Sequence, residues 1–393
     1  MEKLKIAFYT DSYLPIKDGV TRYIATMRKE LERRGHEVFV ITAGDRKTRE
    51  LAETDPHLIV LRGIKFIDNK SVLALDPTVL LQAITGRNFD IIHAHSPFSV
   101  GLSAAFISRI TKARLVSTFH THFFHRLALS KYISYTSEFL SSNRVLLKIS
   151  KFFMVGYLKL YYLGCDKVIS PSKFAKRLLR RNGIKNVEVV ENGVTITDKL
   201  KISKGESRKL LGFSGKDKII LYLGRVDKEK NLAFLLKAAK SLAKKGFKIV
   251  IAGRGPHLDY YRNKSMMRGL ENVYFAGFIK EEEKKYYYRA ADIFCNPSTF
   301  DTACIADLEA MNFNLPILVP KIGAQAEFIT KGNSGETFST NNVSEFVAKA
   351  TKIMKSKRHY LPRFVARKFN IRASADKLVT LYRKVLSKKR TIF

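Results

Sequence analysis

The chain has 393 residues, 46% hydrophobic and 27% charged, which excludes a disordered protein and is long for a single core. Lysine and arginine number 71 against 35 acidic residues, a net charge of +36, so the expected partner is a polyanion, either nucleic acid or an anionic membrane surface. Three widely spaced cysteines, Cys165, Cys295 and Cys304, argue against a disulfide framework or structural zinc and point to a reducing cytoplasm.

In chain order, the opening MEKLKIAFYT lacks the apolar stretch of a signal peptide and reads as a buried first strand. A helical period follows over 20–35 and closes on Gly35. Further strands are expected in EVFVIT (37–42), HLIVLRG (57–63), DIIHAHS (90–96), RLVSTFH (114–120), KVISPS (167–172) and VEVVENG (187–193). The second half repeats the style with KIILYLG (218–224), FKIVIAG (247–253), VYFAGF (273–278), DIFCNPS (292–298) and LPILVP (315–320). A helix over 231–246 there closes on Gly246. Continuous apolar runs without alternation suit parallel strands buried on both faces, and strand–helix alternation means a doubly wound α/β architecture, here built twice.

The polar stretch VVENGVTITDKLKISKGES marks the boundary, giving expected domains over 1–200 and 201–374. The C-terminal helix, placed at 375–393, can complete either domain, and packing back on the first is the expectation carried forward. No apolar run reaches the ~18 residues of a transmembrane helix.

Doubly wound sheets gather ligands beyond the carboxyl ends of their strands. That rule selects Gly19, His120 and His122, Gly224 and Arg225, the run from Gly253 to Gly255, and Asp301. Asp301 and Glu309 stand eight positions apart, so on one continuous helix they would share a face.

Taken in order, YLPIKDGVTRYIATMRKELERRGHEVFVIT, CDKVISPS, VENGV, LYLGRVDKEKNL, IAGRGP, VYFAGF and NPSTFDTACIADLEAMNFNLPIL resemble one family nearly end to end. It is the retaining glycosyltransferases of the GT-B fold, in the large family 4 type group that includes glycogen synthases and bacterial lipid glycosyltransferases. The resemblance implies two Rossmann-like domains facing across a cleft, the first on the acceptor side and the second binding a nucleotide sugar. It assigns Arg225 and Lys230 to the donor diphosphate, where Arg forks across phosphate oxygens and Lys acts as a point charge.

The family motif is Glu, seven residues, then Glu; here it is Asp301, seven residues, then Glu309. By resemblance Glu309 accepts from the ribose hydroxyls. Asp301 holds the transferred sugar with the backbone of Thr302, Ala303, Cys304 and Ile305. Asp301 is one methylene shorter than the family residue, and Cys304 replaces a usual glycine. His120 matches a histidine near the sugar's hydroxymethyl group and, with Asp301, forms the implied catalytic set. Gly19 matches a glycine loop in which Asp18 takes the place of a second glycine, and Glu327 matches another commonly acidic position. Members need no metal and no cofactor beyond the donor, a UDP- or GDP-sugar, and no DxD-like cluster stands near the site.

Between Ser141 and Arg181 stand ten basic residues and one acid, Asp166. On a helix Arg144, Lys148, Lys151 and Lys159 fall within roughly an 80° arc, opposite Phe153, Met154, Tyr157, Leu160 and Tyr161. Such a helix either lies in a membrane interface or packs on its own sheet with its lysines in water. The stretch FHTHFFHRLALSKYI also resembles the diacylglycerol-glucosylating branch of the family, implying a lipid acceptor. The expected protein is a peripheral enzyme on the cytoplasmic face of the membrane that binds no nucleic acid. The alternatives are a soluble transferase making a saccharide or other glycoside, and an inactive nucleic-acid-binding protein.

Overall fold

Parallel strands buried on both faces need crossovers between them, so an alternating sequence builds sheets covered by helices on either side. The computed structural model describes residues 2–16, 18–61, 64–65, 72–73, 88–124, 144–196, 202–330, 333–356 and 359–388. Residues 125–133 of the stretch FHTHFFHRLALSKYI, and the side chain of Arg144, lie outside the described residues.

The chain forms two compact units, one of Met1–Gly193 with Ile371–Phe393 and one of Val194–Asn370. Strands of the first are β1 (Lys5–Thr10), β2 (Glu37–Ala43), β3 (Leu58–Leu61), β4 (Ile64–Lys65), β5 (Val72–Leu73), β6 (Ile91–Ala94), β7 (Arg114–Thr118), β8 (Lys167–Ser170) and β9 (Val187–Val189). All but β4 and β5, a small antiparallel pair, form one parallel sheet in the order β3-β2-β1-β6-β7-β8-β9. Its helices are α1 (Gly19–Arg33), α2 (Arg46–Glu53), α3 (Ser99–Ile110), α4 (Arg144–Leu163) and α5 (Lys173–Arg181). Asp18 caps α1 by accepting from the Thr21 amide at 2.8 Å. Tyr23, Ile24, Met27 and Leu31 turn the buried face of α1 inward, and Gly35 stops the chain at φ +86°.

Helix α4 does not present one apolar face opposite its lysines. Leu158, Tyr161 and Tyr162 sit in the sheet's core and Met154 and Tyr157 pack against it, while Phe153 and Leu160 are exposed. The helix is apolar over more than one face, and the sheet covers only part of it. Among the described residues no helix is long and apolar enough to cross a membrane.

The second unit contains β10 (Lys218–Leu223), β11 (Phe247–Ala252), β12 (Val273–Gly277), β13 (Ile293–Cys295), β14 (Ile317–Pro320) and β15 (Gly335–Phe338). They form a parallel sheet in the order β12-β11-β10-β13-β14-β15. The edge strand β15 was not expected, because GETF is short and only Gly335 and Phe338 are buried. Helices α6 (Lys204–Leu210), α7 (Leu232–Ala243), α8 (Leu258–Met267), α9 (Lys284–Ala290), α10 (Ile305–Asn312), α11 (Ala326–Thr330), α12 (Val343–Lys355) and α13 (Pro362–Lys368) complete this unit. Its core joins Ile220, Tyr222 and Ile249 of the sheet to Leu235 and Ala239 of α7 and to Phe346 and Ile353 of α12.

The chain then returns to the first unit as α14 (Ile371–Leu386). The Tyr382 hydroxyl lies 2.6 Å from His93 Nδ1, Ser374 Oγ donates to the Glu191 carbonyl at 2.7 Å, and Lys377 pairs with Glu191 at 2.6 Å.

Candidate active site

In each sheet the strand order turns back on itself beside the first strand, between β1 and β6 and between β10 and β13. A crevice opens at the carboxyl ends of such a pair. Residues singled out in the sequence gather at both places.

At the second sheet, β10 runs into Gly224 and β11 into Gly253. A β-carbon on Gly253 would stand 1.8 Å from the Gly224 carbonyl, so only glycine lets the two strand ends lie together. Arg225 follows, its side chain 45% exposed, paired with Asp227 at 2.8 Å and with Glu229. A 3-10 turn, Lys228–Lys230, then points Lys230 back to Asp301, whose Oδ1 is 2.5 Å from Nζ. Ser298 Oγ donates to the Glu229 carbonyl at 3.2 Å, and Asn231 Nδ2 donates to the Pro297 carbonyl at 3.3 Å, tying this turn to the loop after β13. Burial alone would raise the Asp301 carboxyl, but the Lys230 charge and its hydrogen bonds outweigh it and hold the group below the usual range. Desolvation opposes the Lys230 charge in the same way, and Asp301 leaves the amine raised.

Asp301 and Glu309 do not share a helix, because α10 begins only at Ile305. Between them Thr302 is buried, Ala303 is half-buried and Cys304 takes a left-handed conformation, φ 53° and ψ 48°, which favours glycine. The Cys304 thiol donates to Gln325 Oε1 at 3.2 Å, while Gln325 Nε2 donates to the Ser298 carbonyl. Glu309 lies in the second turn of α10 and accepts from the Tyr288 hydroxyl at 2.9 Å, with Lys284 at 3.9 Å.

Tyr288, Asn296, Asp307 and Gln325 were missed in the sequence. Asn296 Nδ2 donates at 3.0 Å to both Asp301 Oδ2 and Asp307 Oδ2, and Asp307 Oδ1 has no partner among the described residues. Burial lifts the Asp307 carboxyl to about 7. Asn296 and Asp307 lie within the quoted motif, yet nothing in their spacing shows that one amide bridges two acids.

At the first sheet, His120 follows β7 and His95 follows β6, with His95 Nδ1 and His120 Nε2 3.0 Å apart. The rings stack at 26° with centroids 5.2 Å apart, and Tyr23 lies edge-on to His120 at 5.3 Å. His93, one residue pair back along β6, bridges Thr118 Oγ1 at 2.7 Å to the Tyr382 hydroxyl. Burial drives the imidazoles of His93 and His95 well below the usual range and that of His120 down to about 3, so all three are neutral at physiological pH. A neutral imidazole carries one N–H. On His95 Nε2 that proton would be buried without an acceptor among the described residues, at a cost of about 1–3 kcal/mol. On Nδ1 it is donated to His120 Nε2, leaving the His120 proton on Nδ1. Gly19 is the first residue of α1, and His122 is buried nearby in the chain.

The model of the glycosyltransferase family 4 matches residues 17–198, and that of glycosyl transferases group 1 matches residues 203–367. The chain is 29% identical to an alpha-monoglucosyldiacylglycerol synthase of Streptococcus pneumoniae over 80% of its own length and 70% of the relative's. It is 26% identical to the enzyme of the same name from Acholeplasma laidlawii, over 86% and 85% of the two chains. Its fold superposes on Anabaena HepE in complex with UDP-glucose with a TM-score of 0.73, covering 97% of this chain and all of that one at 16% identity. With one half matched by each model and both halves built as parallel-sheet Rossmann-like domains, the chain belongs to the GT-B glycosyltransferases of the family 4 and group 1 type.

Proposed function

We propose that this glycosyltransferase moves a hexose from a UDP- or GDP-sugar to a lipid acceptor of the diacylglycerol kind, with retention and without a metal. The work is done at the cytoplasmic face of the membrane. The observation that supports this most is the likeness, along most of both chains, to two alpha-monoglucosyldiacylglycerol synthases.

Arg225 and Lys230 take the donor diphosphate, where negative charge grows as the glycosidic bond breaks. Lys230 exchanges Asp301 for a phosphate oxygen, which frees the Asp301 carboxylate to accept from a sugar hydroxyl beside the backbone of Thr302, Ala303, Cys304 and Ile305. Glu309, held by Tyr288, accepts from the ribose hydroxyls. His120 serves the sugar's hydroxymethyl group, and the absent side chain of Gly19 leaves room at the acceptor side. The acceptor hydroxyl attacks from the face the diphosphate leaves, and a departing phosphate oxygen takes its proton. Arg144, Lys148, Lys151 and Lys159 face the anionic surface; of these Lys148 is exposed and Lys151 and Lys159 are half-buried.

The test is transfer from radiolabelled UDP-glucose and GDP-mannose to diacylglycerol in anionic mixed micelles containing a chelator. The expected product is a glycolipid whose anomeric configuration, read by proton NMR coupling, matches the donor. Transfer only to water-soluble acceptors, or only when a divalent metal is restored, contradicts the proposal.

A further inference from the structure

Two neighbouring helices of the first unit expose apolar stripes. On α4, Val145, Ile149, Phe152, Phe153, Leu160 and Leu163 are 47–76% exposed, and at 100° per residue they fall within roughly a 100° arc. On α3, Leu102, Phe106 and Ile110 are 48–54% exposed at successive fourth positions, one stripe about 12 Å long. The helices are joined on their inner side. Tyr157 donates to the Pro97 carbonyl, Tyr161 donates to the Ser96 carbonyl at 3.5 Å, and a β-carbon on Gly101 would lie 3.1 Å from the Tyr161 hydroxyl. Further along, a β-carbon on Gly164 would lie 3.3 Å from the Arg109 guanidinium.

On the α4 wheel the two tyrosines that bond to the loop leading into α3 lie past Phe153 and Leu160, whereas Lys148, Lys151 and Lys159 occupy the opposite flank. The order across the surface is therefore a lysine row, the α4 stripe and the α3 stripe. Tyr157 sits against the loop after β6, so the first turns of α4 extend past the carboxyl edge that carries His95 and His120.

Exposed apolar area of this extent is uncommon on a protein that meets only water. We propose that α3 and α4 together insert into an anionic lipid bilayer, their stripes in the acyl boundary and the lysine row against the headgroups. Charge selects this occupant. Neither helix contains an acidic residue, so a second copy docked through the same surface would bring lysine rows together, whereas anionic headgroups neutralise them. The inference rests on the lipid-acceptor reading and adds the apolar surface, including a helix with no part in the basic stripe.

The chain contains no tryptophan, so single reporters can be placed at will. Phe106→Trp on α3, Phe153→Trp on α4 and, as a control, Met267→Trp, 88% exposed on α8, are made in the full chain. Each is mixed with phosphatidylcholine vesicles containing one-third phosphatidylglycerol, with and without brominated acyl chains. Phe106→Trp and Phe153→Trp should shift to the blue and be quenched, and Met267→Trp should do neither. Phe106→Ser with Ile110→Ser should lower vesicle partition about tenfold or more, in low salt and in 1 M salt, where screening is about 3 Å. Circular dichroism confirms that the variant is folded, and transfer to a short-chain, water-soluble acceptor should stay at the parent rate.

Quenching at Phe153 alone, binding abolished by salt and untouched by the α3 variant, or a variant that changes self-association instead of partition each overturns the two-helix surface. Because partition is read without a reaction, a parent that binds vesicles but glycosylates no lipid defeats the acceptor reading and leaves this inference standing.

Discussion

Lys230 serves two partners in turn, Asp301 in the structure and a phosphate in the proposed reaction. Both side chains of the pair are less than a fifth exposed, so Lys230→Ala leaves a carboxylate largely buried without its cation, at a cost of roughly 3 kcal/mol. Arg225 is half in water, and Arg225→Ala should change stability by less than about 1 kcal/mol. Urea unfolding should therefore separate two variants that lose turnover alike. Lys230→Ala combined with Asp301→Asn should recover much of the lost stability without recovering activity.

Cys304 holds a left-handed conformation that disfavours a side chain by about 1 kcal/mol. Cys304→Gly and Cys304→Ala both lose the thiol contact with Gln325, so the glycine variant should be the more stable by about that amount in urea midpoints. Asp307 titrates in a different sense from most carboxylates. The folded chain holds its proton up to about pH 7, so its contribution is complete below the unfolded value of 3.8 and is lost as pH rises through 7. Asp307→Asn cannot titrate, and its melting temperature relative to the parent should rise between about pH 5 and about pH 8. A constant difference would mean that the carboxyl is already ionised.

At the scale of elements, α14 joins the first unit through its apolar face and through polar contacts that include the buried pair of Tyr382 and His93. Tyr382→Phe removes the hydroxyl from His93 Nδ1 and leaves that nitrogen unsatisfied, which should cost about 1–3 kcal/mol in the unfolding of the first unit. Strands such as KIILYL and FKIVIA were legible because every residue after the first or second is buried, so the sequence is apolar throughout. GETF at β15 carried no such signal, since an edge strand needs only two inward residues. Motif resemblance singled out Arg225, Lys230, Asp301 and Glu309, and the structure pairs Lys230 with Asp301. The helical spacing of the two acids was misleading, because a left-handed residue lies between them. His95, Tyr288 and Gln325 act through tertiary contacts to residues 21 to 25 positions away, a distance at which no local period operates.

For the whole molecule, two separate cores predict two unfolding steps. One is built on β1, β6 and β7 with α3 and α4, the other on β10, β11 and β13 with α7 and α12. Scanning calorimetry with a nucleoside diphosphate at a hundred times its Kd should stabilise the step of the second unit by about 2.7 kcal/mol. A shift confined to the other step would place the nucleotide on the wrong sheet.

The first unit is written in two pieces, with Val194–Asn370 between them. A ribosome adding ~5–20 residues per second takes on the order of 10 to 35 s to cross that interval. Throughout it, the seven strands of the first sheet have been made without the helix that packs on α1 and pairs with His93. The later unit can fold to completion while the earlier one waits. During synthesis the N-terminal half is thus the part that waits longest for its full set of contacts, and the residues of its apolar α3 and α4 surface are already present on the nascent chain. A membrane meeting that chain could hold it before translation ends.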